Sequence, residues 1–211
     1  MLRRRYPLKN EKETKEQLIQ WGRKEFLEKG FAQASLRNIC KNAGVTTGAL
    51  YFFLENKEDL FASIVEEPLR ELNQILDEHF DKELNQEEYL NQVKEDMEDL
   101  ACAKEMLHCI YQNYDAFHLL LTKSRGSKFE LTEEQFVEMT EKKYRLMAER
   151  ICLQRNLSKP ADYMLHWFAH TQVNLFVHLV SHEKSEENAG RNLEAMVACM
   201  VACWNQLLQD K

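Results

Sequence analysis

The sequence predicts an all-α protein of about nine helices, and three observations carry that expectation. Apolar residues recur with helical spacing along most of the chain. Six Gly and three Pro in 211 residues leave few turns and long elements. No stretch alternates apolar and polar residues as a half-buried strand would. With 44% hydrophobic and 30% charged residues, the chain can build a core and does not read as disordered. No uncharged apolar run is long enough for a membrane helix. The basic start MLRRRYPLKN lacks the apolar stretch of a secretory signal, so a cytoplasmic location and no membrane partner are expected.

Taken in order, residues 11–29 read as a first helix with Leu18, Gly22 and Phe26 on one stripe. Gly22 marks a close crossing by another helix, and Gly30 ends the element in a positive-φ conformation. Ser35 caps a short helix over 36–43. Gly44 stops it, and Thr46 caps a third helix over 47–54, with Val45 and Leu50 spaced as a hydrophobic staple. Asn56 caps a long fourth helix, supported by Asp59, in which Pro68 predicts a kink. Further helices are expected over roughly 86–103, 104–121, 132–156 (capped by Thr132), 161–182 after Pro160, and 187–208. KSRGSKF at 123–129 reads as a turn and HEKSEEN as a polar loop.

The net charge of −7 argues at first against nucleic acid, but its distribution reverses that impression. Residues 1–57 hold 12 Lys/Arg and 6 Asp/Glu, a net of +6, and the rest of the chain carries −13. A basic head on an acidic body fits a DNA-contacting surface attached to something else. The cysteines Cys40, Cys102, Cys109, Cys152, Cys199 and Cys203 form no CxxC pair and no zinc-finger grouping, so free thiols in a reducing compartment are expected.

Residues 35–61, SLRNICKNAGVTTGALYFFLENKEDLF, carry the sharpest signal and read as a helix-turn-helix. On a wheel of the third helix, Leu50, Phe53 and Leu54 face the body, Gly48, Ala49 and Phe52 face away, and Tyr51 lies on the flank. The DNA reading gives each a task. Thr46, Thr47, Tyr51 and Lys57 contact phosphates, Arg37 is the best nearby charge, Ser35 belongs to the same DNA-binding set, Gly48 allows close backbone approach, and Ala49 and Phe52 touch thymine methyls. Arg3, Arg4 and Arg5 form a basic arm suited to phosphates or a minor groove. The competing reading is three small helices packed on a bundle, with Tyr51 and Phe52 buried in it.

The chain here resembles the TetR (tetracycline-repressor-like) family of regulators. The resemblance rests on FLEKGF at 26–31, the 35–61 stretch, and the helix before them. Phe26, Gly30, Phe31, Ser35, Arg37, Ile39, Ala43, Gly44, Val45, Gly48, Leu50, Tyr51, Lys57, Glu58, Leu60 and Phe61 match the family pattern. Departures are Thr47 for a frequent Lys, Phe52 and Phe53 where His or Tyr is frequent, Leu54 for Phe, and Glu25 where an apolar residue is usual. The reading face therefore has few hydrogen-bonding side chains, which suggests T-rich or shape-dependent sites. The resemblance implies a DNA-binding domain over 1–56 and a ligand-binding and dimerisation domain over 57–211. It further implies a homodimer on a palindromic double-stranded operator, released by a small-molecule inducer that moves the fourth helix.

In the body, the last two helices are apolar over more than one stripe. Phe168, Phe176, Val180, Met196, Met200 and Trp204 are the candidate dimer interface. Met106, Tyr111, Tyr114, Phe117, His118, Trp167 and His170 mix aromatic area with polar tips and are the candidate ligand pocket. His166/His170 and His178/His182 are i, i+4 pairs, but the four do not share a face, and no metal site or cofactor is assigned. No nucleophile elbow, phosphate loop or HExxH motif supports an enzyme, and no catalytic residue is assigned. A metal- or thiol-responsive regulator with the same head is the alternative trigger.

Overall fold

The computed structural model describes residues 11–85 and 96–209. Among the described residues there are ten helices and no strand. They are α1 Glu11–Gln33, α2 Leu36–Asn42, α3 Thr47–Phe53, α4 Lys57–Asn85, α5 Asp96–Gln112, α6 Tyr114–Thr122, α7 Thr132–Arg155, α8 Asp162–His182, α9 Glu186–Gly190 and α10 Leu193–Leu207. None is long and apolar enough to cross a membrane.

The chain divides into two compact units, a head of residues up to Glu67 plus His118–Glu130, and a body of Pro68–Phe117 plus Leu131 onward. α4 runs helically through Pro68, where the unit boundary falls. The sequence-based boundary is 56/57; the start of α4 groups with the head, where Leu60 and Phe61 pack against α1.

The head closes around aromatic rings. Phe26 and Phe31 stack at 5.9 Å, and Phe61 meets both edge-on at 5.0 and 5.3 Å. Phe129 adds a fourth ring 5.8 Å from Phe61. Each buried ring contributes on the order of 1.5–3 kcal/mol. Gly30, at φ 72°, breaks α1 before its last turn, and Phe31 N–H donates to the Lys123 carbonyl at 2.8 Å. The 123–129 stretch is thus a turn that completes the head.

Within the body, Tyr144 of α7 packs against Phe80, Phe168 and Trp204 with centroids 4.8–5.5 Å away. A second cluster joins Ala103, Leu107, Leu179, Ala189, Leu193, Val197 and Val201.

Several expected bounds need correcting. The helix expected over 86–103 begins, among the described residues, at Asp96, and runs on to Gln112. The expected 104–121 helix is interrupted at Asn113, whose side chain and backbone N–H both donate to the Cys109 carbonyl. The loop before α10 contains α9, capped by Ser185. Thr132 is a buried first-turn residue rather than a cap, and α7 ends instead at left-handed Asn156.

Candidate nucleic-acid interface and the body cavity

The helix-turn-helix is set by local chemistry. Ser35 Oγ accepts from Asn38 N–H at 3.4 Å and starts α2. Gly44, at φ 69°, makes the turn that a side chain would strain. Thr46 Oγ1 accepts from Ala49 N–H at 3.2 Å and starts α3. Asn56 Oδ1 accepts from Asp59 N–H while Asp59 accepts from Glu55 N–H, which fixes the start of α4. Leu50 and Leu54 are buried as the wheel expects, and Phe53 is half-buried.

The outward residues are outward. Tyr51 is 56% and Phe52 68% exposed, so the reading that buries them in a bundle does not describe this chain. Thr46, Thr47, Gly48 and Arg37 are exposed, and Ser35 and Ala49 are half-buried. A Cβ at Gly48 would meet nothing closer than Thr46 Oγ1 at 3.9 Å, so packing within the chain does not require glycine there. Arg3, Arg4 and Arg5 lie outside the described residues.

Two charged residues have tasks inside the head. Lys57, expected at a phosphate, directs its ammonium to the carbonyls of Phe31, Ala32 and Ala34 at 2.7, 3.2 and 3.4 Å. It also sits 4.5 Å from the Phe31 ring centre. Three donors on three carbonyls make it a clasp between the end of α1 and the start of α4. Glu25 is 6% exposed and accepts from Lys29 Nζ at 2.9 Å and from Ser35 N–H at 3.2 Å. Burial pushes its carboxyl pKa up, but the Lys29 and Ser35 hydrogen bonds outweigh it and hold the pKa below the ordinary value. Its departure from an apolar residue thus serves to pin the start of α2.

Residues 18–64 match the family model described as bacterial regulatory proteins of the tetR family. The head thus carries a TetR-family DNA-binding region. The chain is 45% identical over 53 residues to the HTH-type transcriptional repressor BepR of Brucella suis biovar 1 (strain 1330), covering 25% of each chain. It is 39% identical over 54 residues to the HTH-type transcriptional regulator AcrR of Shigella flexneri, covering 26% of this chain and 25% of that one. The match thus spans about a quarter of these relatives' length. The fold extends further. A TetR-family regulator from Streptomyces coelicolor A3 superposes with a TM-score of 0.59 at 19% identity, over 92% of this chain and 91% of its own.

In the body, the candidate pocket residues are dispersed. Tyr111 donates to the carbonyls of Leu179 and Glu183, and Tyr114 to that of Val180. Phe117 is buried, Trp167 is 42% exposed, His118 belongs to the head segment, and His170 meets His166 edge-on at 4.6 Å. Met106 lines a cavity of about 50 Å³, whose walls include Phe80, Tyr144, Phe168, Phe176, Met200 and Trp204. Four of those walls were expected at a dimer interface. Phe168, Val180 and Trp204 are buried within the single chain and have no surface left to give a partner, whereas Phe176, Met196 and Met200 stay partly exposed.

One constellation was missed from the sequence. His79 Nε2 lies 3.3 Å from Asp99 Oδ1 and 3.7 Å from Glu83 Oε1, and all three side chains are largely buried. Burial lowers the His79 pKa, but hydrogen bonds to Asp99 and Cys102 and the nearby Glu83 outweigh it and lift it to about 10. The available signal was His79 and Glu83 at i, i+4 beside the apolar stripe Leu76, Phe80, Leu84. Asp99, on another helix, gave none.

Proposed function

We propose that this protein is a ligand-responsive transcriptional repressor that acts in the cytoplasm as a homodimer on a palindromic operator. The observation that carries the reading is the TetR-family head presenting Tyr51 and Phe52 to solvent on a capped α3. Short helices that expose large aromatics have a partner for them. Arg37, Thr46, Thr47 and Tyr51 anchor phosphates, while Gly48, Ala49 and Phe52 lie against thymine methyls and read groove shape. Lys57 and Glu25 act from inside, holding α2 and α4 in place.

The trigger is an organic inducer in the cavity walled by Tyr144, Phe168, Phe176 and Trp204. At about 50 Å³ that cavity is well below the ~300 Å³ of an ordinary ligand pocket. A ligand must therefore part these aromatics, and α4 contributes Leu76 and Phe80 to the same wall. Because α4 is one helix from Lys57 to Asn85, displacement at Phe80 reaches the residues that Lys57 clasps. Footprinting on DNA upstream of the protein's own coding region tests the reading, with a protected palindrome expected. Tyr51→Ala should weaken that binding about tenfold, as loss of one hydrogen bond to a charged group does. Unchanged affinity in a Tyr51→Ala/Phe52→Ala double variant would exclude this face.

A further inference from the structure

We propose that His79, Glu83 and Asp99 form a binding site for a divalent transition-metal cation inside the body. His79 and Glu83 are four residues apart on α4, and Asp99 approaches from α5, so two helices present three donor groups to one point. Their ligand atoms all lie within 4.8 Å of one another. Metal–ligand bonds of ~2.1 Å in tetrahedral geometry separate ligand atoms by ~3.4 Å. The observed 3.3 and 3.7 Å bracket that spacing. One imidazole with two carboxylates is a donor set for zinc, cobalt, manganese or ferrous iron.

Burial fits the same occupant. The Glu83 side chain is 2% exposed, Asp99 14% and His79 16%, so all three donors lie away from bulk water. The surroundings provide the remaining parts of a site. Cys102 stands beside the imidazole on the walls of both adjoining cavities, where partners of ligating histidines sit. The 50 Å³ cavity beside His79 and Asp99 has room for a water ligand. A second cavity, about 280 Å³, shares His79 and Cys102 and is lined by Glu78, Glu98 and Glu105 with Lys82. That acidic mouth is an entry path that attracts cations.

The site stands apart from the regulator reading, because its test needs no DNA. Untagged full-length protein is stripped with a chelator and titrated with Zn²⁺ against a chromophoric competitor, then with Co²⁺ for visible absorption. One equivalent per chain is expected, with a rise in melting temperature on Zn²⁺ addition. Loss of a partner to a metal ligand costs 10–100-fold in affinity, so Asp99→Asn and His79→Gln should each cost at least ~100-fold and abolish the melting shift. Circular dichroism confirms that the variants fold. If either is unfolded, Glu83→Gln is measured in its place, with the same loss expected. A variant with His166, His170, His178 and His182 all replaced by Ala should bind Zn²⁺ as the parent does. No uptake by the parent, uptake unchanged in folded His79→Gln or Asp99→Asn, or uptake lost with the surface histidines would each overturn the proposal.

Discussion

Glu25 shows how one buried charge organises the head. Its carboxylate holds Lys29 on its own helix and the Ser35 amide at the start of the next. The fold gains from the ionised form, so the folded-state pKa is lowered. A lowered carboxyl pKa means stability that is fully present above the ordinary carboxylate range and is lost as pH falls through the folded-state value. Glu25→Gln keeps the shape and removes the charge. It should cost about 1 kcal/mol at neutral pH, discounted for the partial exposure of Lys29, and progressively less on acidification. Urea denaturation at neutral and acid pH checks this. A cost independent of pH would mean that the carboxylate contributes by shape alone.

The crossing of α1 and α4 turns on one missing side chain. A Cβ at Gly22 would come within 2.9 Å of Leu60 Cδ2, and Leu60 is itself fully buried. Gly22→Ala should therefore destabilise the head by about 1–3 kcal/mol through overpacking, despite alanine's better helix propensity. Adding Leu60→Ala to Gly22→Ala should cost less than Leu60→Ala in the parent, which thermal melts of the double-mutant cycle would measure. This crossing was legible in the sequence, as were the Ser35, Thr46 and Asn56 caps and the Gly30 and Gly44 turns. Each of those signals lies within a few residues of its consequence. What was not legible depends on residues far apart. The bond from Phe31 N–H to the Lys123 carbonyl draws the 118–130 segment into the head across about ninety residues. Phe168 and Trp204 sit on helices apolar around more than one stripe, so a wheel could not separate the protomer core from a partner surface. The same distance hid Asp99 from His79.

Across the whole molecule, charge and assembly are coupled. In the proposed complex, residues 1–57, of net +6, meet a polyanion that the rest of the chain, at −13, repels, so affinity depends on how many such regions bind at once. A two-fold dimer places two heads one DNA turn (~34 Å) or a multiple of it apart. Each phosphate neutralised contributes about −0.9 to the slope of log affinity against log salt. Met196 on α10 is partly exposed and packs at the edge of an apolar cluster that includes Leu193 and Val197. In the homodimer proposed above, Met196→Asp places a charge where a second copy would be desolvated, and should yield a monomer in sedimentation. The monomer should bind operator DNA more weakly, with about half the salt slope of the dimer. Melting of each variant separates loss of assembly from loss of fold. A dimer that survives Met196→Asp would place the two-fold contact on another surface, and a full slope in a true monomer would show that one head makes all the phosphate contacts.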